Sequence, residues 1–411
     1  SGKLKKANKY FEGYSYSQAI DKYENLEEKS NDINRKLAFS YWSLHNYSKA
    51  EEYYALVVNQ ENVEVSDYYN YAESLKSNGK YAESEIWMDK YYESAKHDNR
   101  AKMHVENKGY VEDLLKDAGR YKIENLAINS EQQDFGAVFF KENKVVFASS
   151  REGQRPVERK WNWNGLPFLD MYVVIHHEDG SLTELEEFHE KLNLKYHEGP
   201  ASFDENGHLI VFTRNNYEGK DEEGIVKLQM FYATLENEDW NEETGFHFNS
   251  DHYSVGHPTL SNSGKAMYFA SDMPGGLGGT DIYYVEQDEE GSWGTPINVG
   301  KPINTEGNEM FPFFDELNKL LYFSSNGHPG LGGLDNFVVQ QKDSAFGKVI
   351  NMGAPLNTNA DDFSLALNES GDKGYFSSNR NGGHGSDDIY SLEIVQPIKF
   401  KRSLKGKAVD E

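Results

Sequence analysis

The chain has 411 residues, with 42 Lys and Arg against 68 Asp and Glu and a formal net charge of -26, enough length for two or three domains. So acidic a surface lacks the basic footprint that a phosphate backbone or an anionic membrane demands, which excludes nucleic acid as a partner. There is no Cys, hence no disulfide or thiolate metal site, and hydrophobic residues, at 37%, form no run long enough to span a bilayer.

Residues 1–117 contain no proline and carry apolar residues at helical spacing. Three segments align: "SYSQAIDKYENL" from Ser15, "NYSKAEEYYALV" from Asn46 and "KYAESEIWMDKY" from Lys80. Each has a Tyr (Tyr16, Tyr47, Tyr81), a small residue three later (Ala19, Ala50, Ser84) and a bulky one four beyond that (Tyr23, Tyr54, Met88). The tyrosines are 31 and 34 residues apart. Upstream, Ala7, Ala38 and Ala72 hold matching places in a preceding helix. Small residues where two helices cross, flanked by large ones, allow close packing. The pattern resembles the tetratricopeptide repeat, which has about 34 residues per helix pair. That resemblance implies an N-terminal α-solenoid of three repeats plus a further helix near Arg100–Lys116. It also implies a concave groove lined by Phe11, Arg35, Phe39, Trp42, Tyr69 and Lys76. Phe39, Trp42 and Tyr69 are the candidate protein-binding residues of this groove.

From about Gly119 the texture changes to short β-branched and aromatic runs between Gly, Asn and Asp turns. "GHPTLSNSGKAMYFASDMPGGLGGTDIYYVE" is followed by "MFPFFDELNKLLYFSSNGHPGLGGLDNFVVQ" and "DFSLALNESGDKGYFSSNRNGGHGSDDIYSLE". Asp281, Asp335 and Asp388 are 54 and 53 residues apart, as are Phe269, Phe323 and Phe376. Two looser units precede them, from Phe135 and from Gly199. Five units of three strands, each followed by a weaker fourth, predict a five-bladed β-propeller over residues 118–398. The unit resembles the TolB-type (PD40, WD40-like) repeat. A sixth blade would have to come from the insert in the first unit or from "QPIKFK". The segment Tyr121–Phe135 aligns with Pro296–Phe311, an outer strand and its linker. The ring is therefore expected to close by pairing Tyr121–Leu126 with the strand holding Ile389, Tyr390 and Leu392.

The glycine clusters do not form a phosphate loop. They recur three times, lie between strands and lack the Lys that such a loop needs. Each following Asp is expected to accept N–H bonds from its own turn. There is no GxSxG, HExxH or EF-hand pattern, and His189 and His197 stand eight apart, not at ligand spacing. Four acids lie at the ends of inner strands: Asp204 and Asp315 after two, Glu309 and Asp362 before two. Paired carboxylates in a propeller funnel are the apparatus of glycosidases, yet these read as turn residues. The chain is accordingly expected not to be an enzyme and to hold no metal or cofactor. The first unit carries the insert "RPVERKWNWNGLPFLD". Its Arg159, Trp161 and Trp163, beside Arg155, Lys160 and Phe168, make a basic-aromatic cluster of the hot-spot kind, a second candidate protein-binding patch.

The end of the chain, residues 399–411, reads as a linker followed by "LKGKAVDE", which resembles the first strand of a carboxypeptidase-regulatory-like sandwich. Helical repeats, a TolB-like propeller and the start of such a sandwich, in that order, resemble the multidomain OmpA-family envelope proteins of PorE-like type from the type IX secretion and gliding-motility systems. The resemblance implies a periplasmic scaffold associated with the outer membrane; whether a lipidated Cys precedes Ser1 stays open. It implies a PorP/SprF-like outer-membrane partner and attachment to peptidoglycan only through a C-terminal domain beyond residue 411. A glycan-binding propeller, or one acting on polysaccharide, is the alternative.

Overall fold

The computed structural model describes residues 2–141, 143–152, 160–177, 179–194, 197–216, 219–222, 224–342 and 345–400. Eight helices occur among them: α1 (Gly2–Glu12), α2 (Tyr16–Glu24), α3 (Asn31–Ser43), α4 (Tyr47–Val57), α5 (Val65–Ser77), α6 (Tyr81–Ser94), α7 (Asn99–Glu106) and α8 (Tyr110–Leu114). None is long and apolar enough to cross a membrane. The first six pack as antiparallel neighbours in chain order. Ala7, Ala19, Ala38, Ala50 and Ala72 are completely buried at the crossings, with Tyr23 and Tyr54 beside them. The turn inside each pair passes through a left-handed residue: Tyr14 (φ 53°), His45 (φ 57°) and Gly79 (φ 72°). These sit at the spacing of the tyrosines, so the repeat extends to the backbone. The single helix expected near Arg100–Lys116 is two short ones. Gly109, at φ 79°, breaks the α-helical path between α7 and α8.

Five antiparallel sheets follow. Blade 1 comprises Asp134–Phe140, Lys144–Ser149, Asp170–His176 and Leu182–Glu187. Blade 2 comprises Glu198–Phe203, Leu209–Asn215, Leu228–Glu236 and Thr244–Gly245. Blade 3 comprises Val255–Leu260, Ala266–Ser271, Asp281–Glu286 and Ile297–Asn298. Blade 4 comprises Glu309–Asp315, Leu320–Ser325, Asp335–Lys342 and Ile350–Asn351. Blade 5 takes three strands in sequence, Asp362–Leu367, Lys373–Ser378 and Asp388–Ile394, and its outer strand from the far end of the domain, Tyr121–Asn125. Tyr121 lies opposite Ile394 and Asn125 opposite Tyr390, the closure expected from the sequence. No sixth sheet exists among the described residues. Ile398 and Phe400 instead pack against the core between blades 4 and 5.

One hydrophobic cluster fills each of the five junctions between neighbouring blades. The Phe of each second strand is its anchor: Phe147, Phe212, Phe269, Phe323 and Phe376 are all at most 1% exposed. Burying such a ring contributes about 1.5–3 kcal/mol. The recurrent Ser-Ser doublet has two tasks. Its second hydroxyl holds the acid that starts the inner strand, Ser325 on Glu309 and Ser378 on Asp362. Its first reaches the next blade, where Ser324 accepts the N–H of Ser364 and Ser377 that of Gly136. The glycine loops behave as the spacing suggested. Asp335 accepts the N–H groups of Leu331 and Gly332, and Asp388 those of His384 and Gly385. An outer-strand Asn completes each site: Asn298 on Asp281, Asn351 on Asp335 and Asn125 on Asp388. These asparagines were not singled out from sequence, because their partners are 16 to 263 residues away.

Candidate functional site

The two faces of the propeller differ. The helices cover loops on the face where the inner strands begin. Tyr69 donates to the carbonyl of Asn326 and Tyr110 to that of Gly330. Asn359 donates to Ser77 O, Asn99 to Glu306, and the N–H of Ala354 to Leu114 O. Among the described residues, one charged contact joins the two parts. His45 Nδ1 lies 2.8 Å from Asp361 Oδ2, which also accepts the hydroxyl of Tyr47 at 2.7 Å and the amide of Asn379 at 3.0 Å.

The opposite face, where the inner strands end, opens into a funnel of about 1470 Å³. Its shape follows from a bulge that all five inner strands share. The bulged residue adopts a left-handed backbone in four blades: Gly136 (φ 71°), His257 (φ 52°), Phe311 (φ 49°) and Ser364 (φ 55°). Blade 2 has Pro200 at this place, and the preceding Gly199 takes the positive φ, at 99°. A non-glycine residue is uncommon in this region, and a Phe there is a strained outlier of the kind that gathers at functional sites. The bulge turns side chains toward the propeller axis. The rings of Phe135, Phe311 and Phe363 meet at 5.0 to 6.4 Å, and His257 stacks on Phe311 at 3.8 Å with 9° between the planes. Groups from four blades can meet only near the axis, so these rings close the floor of the funnel.

Above the floor the wall is aromatic. Phe139, Phe203, Phe313 and Phe314 line it half-buried, backed by second-strand or neighbouring rings such as Tyr375 at 5.4 Å from Phe139 and Tyr268 at 5.2 Å from Phe314. The rim is polar, with Asp204, Glu205, Asp315, Glu316 and Glu369 facing Lys141 and Lys373. Burial pushes His257 down to about 4, which leaves its imidazole neutral at pH 7.

The four acids singled out from sequence fall at opposite ends of the inner strands. At the funnel end, Asp204 accepts the N–H groups of His208 and Leu209 at 2.7 Å. Asp315 accepts the N–H and side-chain amide of Asn318. At the helix-covered end, Glu309 accepts from Thr305 and Ser325. Burial raises it to about 7 against those hydrogen bonds. Asp362 is held by Thr358, Ser378 and Arg380. Asp204 and Asp315 thus serve their own turns, and Glu309 and Asp362 tie the preceding loop to the second strand of their blade.

The candidate protein-binding residues are spread over the helical part and its junction with blade 1. Phe39 is 37% exposed and shares a face with Trp42, their rings 6.5 Å apart. The Nε1 of Trp42 is buried with no partner among the described residues. Tyr69 is turned into the junction, under Arg100 at 4.2 Å, and Lys76 is buried in a 2.7 Å ion pair with Glu73. Trp163 stacks on Trp161 at 5.5 Å, meets Tyr16 edge-on at 4.8 Å and donates to Ser43 O. Trp161 lies against His197. The described part of the first-blade insert, residues 160–170, thus packs on the helices through Trp163. Arg159, and the sandwich-like segment after residue 400, lie outside the described residues. Nothing in the sequence marked the floor residues His257 and Ser364. The one available signal was "FPFF", where consecutive rings break the alternation of a regular strand.

No protein-family model and no curated protein matches the chain. Solved structures do. An α-L-arabinofuranosidase from Lactobacillus brevis superposes with a TM-score of 0.40 at 12% identity, over 64% of this chain and 90% of that one. A family 117 glycoside hydrolase from the marine bacterium Zobellia galactanivorans gives 0.39 at 10% identity, over 67% and 90%. The β-propeller domain of the Trilobed protease from Pyrococcus furiosus gives 0.28 at 13% identity, over 52% and 50%. The match to a prolyl endopeptidase spans 30% of that enzyme's length. At such identities the likeness is one of fold, and no residue or activity is carried across. The solved structures found are mostly enzymes, glycoside hydrolases and prolyl peptidases. This corrects the expectation that the chain is not an enzyme, which is withdrawn. What the chain shares with these proteins is the propeller: it has the five-bladed β-propeller fold.

Proposed function

We propose that the propeller binds a polysaccharide in its open funnel. The observation that carries the reading is the wall: four half-buried phenylalanine rings from blades 1, 2 and 4 in a cavity of about 1470 Å³. Ligand sites are concave and mostly apolar, with a few polar groups that fix orientation. The apolar faces of pyranose rings stack on such a wall, while their hydroxyls donate to the rim carboxylates. The volume exceeds the roughly 300–1000 Å³ usual for a small-molecule site, so several sugar units fit. Calorimetric titration with neutral gluco-, xylo- and manno-oligosaccharides tests the reading, and a reducing-sugar assay on the same mixtures reads any hydrolysis. Binding is expected, and Phe313→Ala should weaken it by roughly 1–3 kcal/mol, the worth of a lost hot-spot ring. Absence of binding to every class at millimolar concentration refutes it.

A second reading concerns the helices. The alanine crossings and the equivalent turns at Tyr14, His45 and Gly79 support the tetratricopeptide resemblance, and with it membership of the OmpA-like envelope proteins. On that reading the chain sits in the periplasm as part of an outer-membrane secretion or motility assembly, with a PorP/SprF-like partner. Phe39, Trp42, Trp161 and Trp163 are the contacts to vary. Unchanged affinity of Phe39→Ala and Trp161→Ala for such a partner would place the interface elsewhere.

A further inference from the structure

The funnel has one mouth. Rings from blades 1, 3, 4 and 5 seal its floor, and the helices cover loops on the far side of that seal. A chain molecule that enters cannot thread through the axis. It must either lie across the mouth or stop at the floor.

The floor is equipped for the second arrangement. Two of its side chains, His257 and Ser364, carry polar groups that the protein leaves unused. Both residues line the funnel and both are held in left-handed backbone. Ser364 is 9% exposed. Its N–H is taken by Ser324, and its hydroxyl has no hydrogen bond among the described residues. His257 likewise gives its N–H to Thr213, and its buried Nδ1 has no partner among the described residues. A buried polar group without a partner carries a penalty of about 1–3 kcal/mol. His257 Nδ1 carries that penalty, while the Ser364 hydroxyl, at the same bulge position two blades on with Phe311 between them, faces the funnel with no partner among the described residues. A ligand with hydroxyl groups would meet both below the aromatic wall.

On the reading of the funnel as a glycan site, we propose that it receives the end of a glycan chain, and that His257 and Ser364 read the hydroxyls of the terminal sugar. The aromatic wall then holds the units behind it. The ligand class is a chain terminus, in contrast to an internal stretch of polymer.

The test uses the 411-residue protein, neutral oligosaccharides of two to six units and the parent polymers. Affinity should rise with length until the funnel is filled and then stay level. At equal mass of sugar, a polymer should compete in proportion to its ends, and partial hydrolysis of that polymer should raise its competition. Ser364→Ala and His257→Phe, the latter keeping the ring stacked on Phe311, should each lower oligosaccharide affinity by roughly 3- to 10-fold, the loss expected of one net hydrogen bond. Ser364→Gly serves as a second variant, since glycine accepts the left-handed backbone without strain. Thermal melts should be unchanged or raised. Intact polymer competing as well as oligosaccharide at equal mass overturns the chain-end inference and leaves glycan binding standing. So do floor variants that bind as wild type. Failure of every oligosaccharide and polymer to bind removes the glycan reading itself.

Discussion

Replacing His45 by Gln measures how firmly the helices are held to the propeller. The ring Nδ1 lies 2.8 Å from Asp361 Oδ2 across the junction. Breaking a buried ion pair by removing one partner costs about 3–5 kcal/mol. Two features reduce that figure here. The His45 side chain is 44% exposed, so water screens its charge. Asp361 also keeps the N–H of Leu334, the hydroxyl of Tyr47 and the amide of Asn379. The remaining loss is about 1 kcal/mol, the worth of one net hydrogen bond. Gln carries a Cβ as His does, so the left-handed turn at φ 57° is no easier for the variant. The pH dependence follows from the two partners. Partial burial works against the charged ring, but the hydrogen bond and charge of Asp361, with the charge of Asp387, outweigh it and raise His45 to about 9. A raised pKa gives stability that is complete below the unfolded value of about 6.5 and is lost as pH rises through the folded one. Asp361 moves the other way. Burial opposes its charge, yet His45, the Leu334 N–H and Tyr47 lower it to about 2, so its contribution is present above about 3.9 and is lost as pH falls through 2. The difference between wild type and variant should therefore be largest between about pH 4 and 6.5 and should vanish near pH 10. Urea denaturation followed by tryptophan fluorescence reads it, because Trp42 and Trp163 lie in or beside the junction. A difference that persists undiminished at pH 10, or none at pH 6, refutes the argument.

Three further outcomes follow from the packing. Tyr121 donates to the Met352 carbonyl at 3.1 Å in the ring-closing strand; Tyr121→Phe should cost about 1–3 kcal/mol in a denaturation experiment, the penalty for a buried acceptor left unpaired. Arg214 and Glu198 are both completely buried, with Nε and Oε1 3.2 Å apart. Arg214→Met should cost about 3–5 kcal/mol, and adding Glu198→Gln should restore part of it by removing the uncompensated charge. Deleting residues 1–127 removes the outer strand of blade 5 and bares the edge of Asp388–Ile394. The product should aggregate on size-exclusion chromatography, and a monomer that melts cooperatively near wild type would count against closure by this strand.

The sequence by itself determined the elements and their order, because those depend on spacing. Fixed intervals between Phe269, Phe323 and Phe376 require equivalent places in equivalent units, and the second-strand Phe of every blade is indeed the anchor of a junction core. The alignment of Tyr121–Phe135 with a later outer strand was enough to foresee how the ring closes. The glycine loops were legible too, since the bonds from Leu331 and Gly332 to Asp335 span only three or four residues. The candidate site was not legible. Its floor is assembled from Phe135, His257, Phe311 and Phe363, which stand far apart in the chain and share only a bulge register. A bulge depends on how one strand fits the next, and it leaves little mark in a single strand's pattern. The same holds for the junction. His45 and Asp361 are 316 residues apart, and nothing local marks either as a partner. Phe39, Trp42 and Tyr69 read alike in the sequence as aromatics on helical faces. Only the docking of the helices on blades 4 and 5 decided that Tyr69 is spent inside the molecule while Phe39 keeps a face in water.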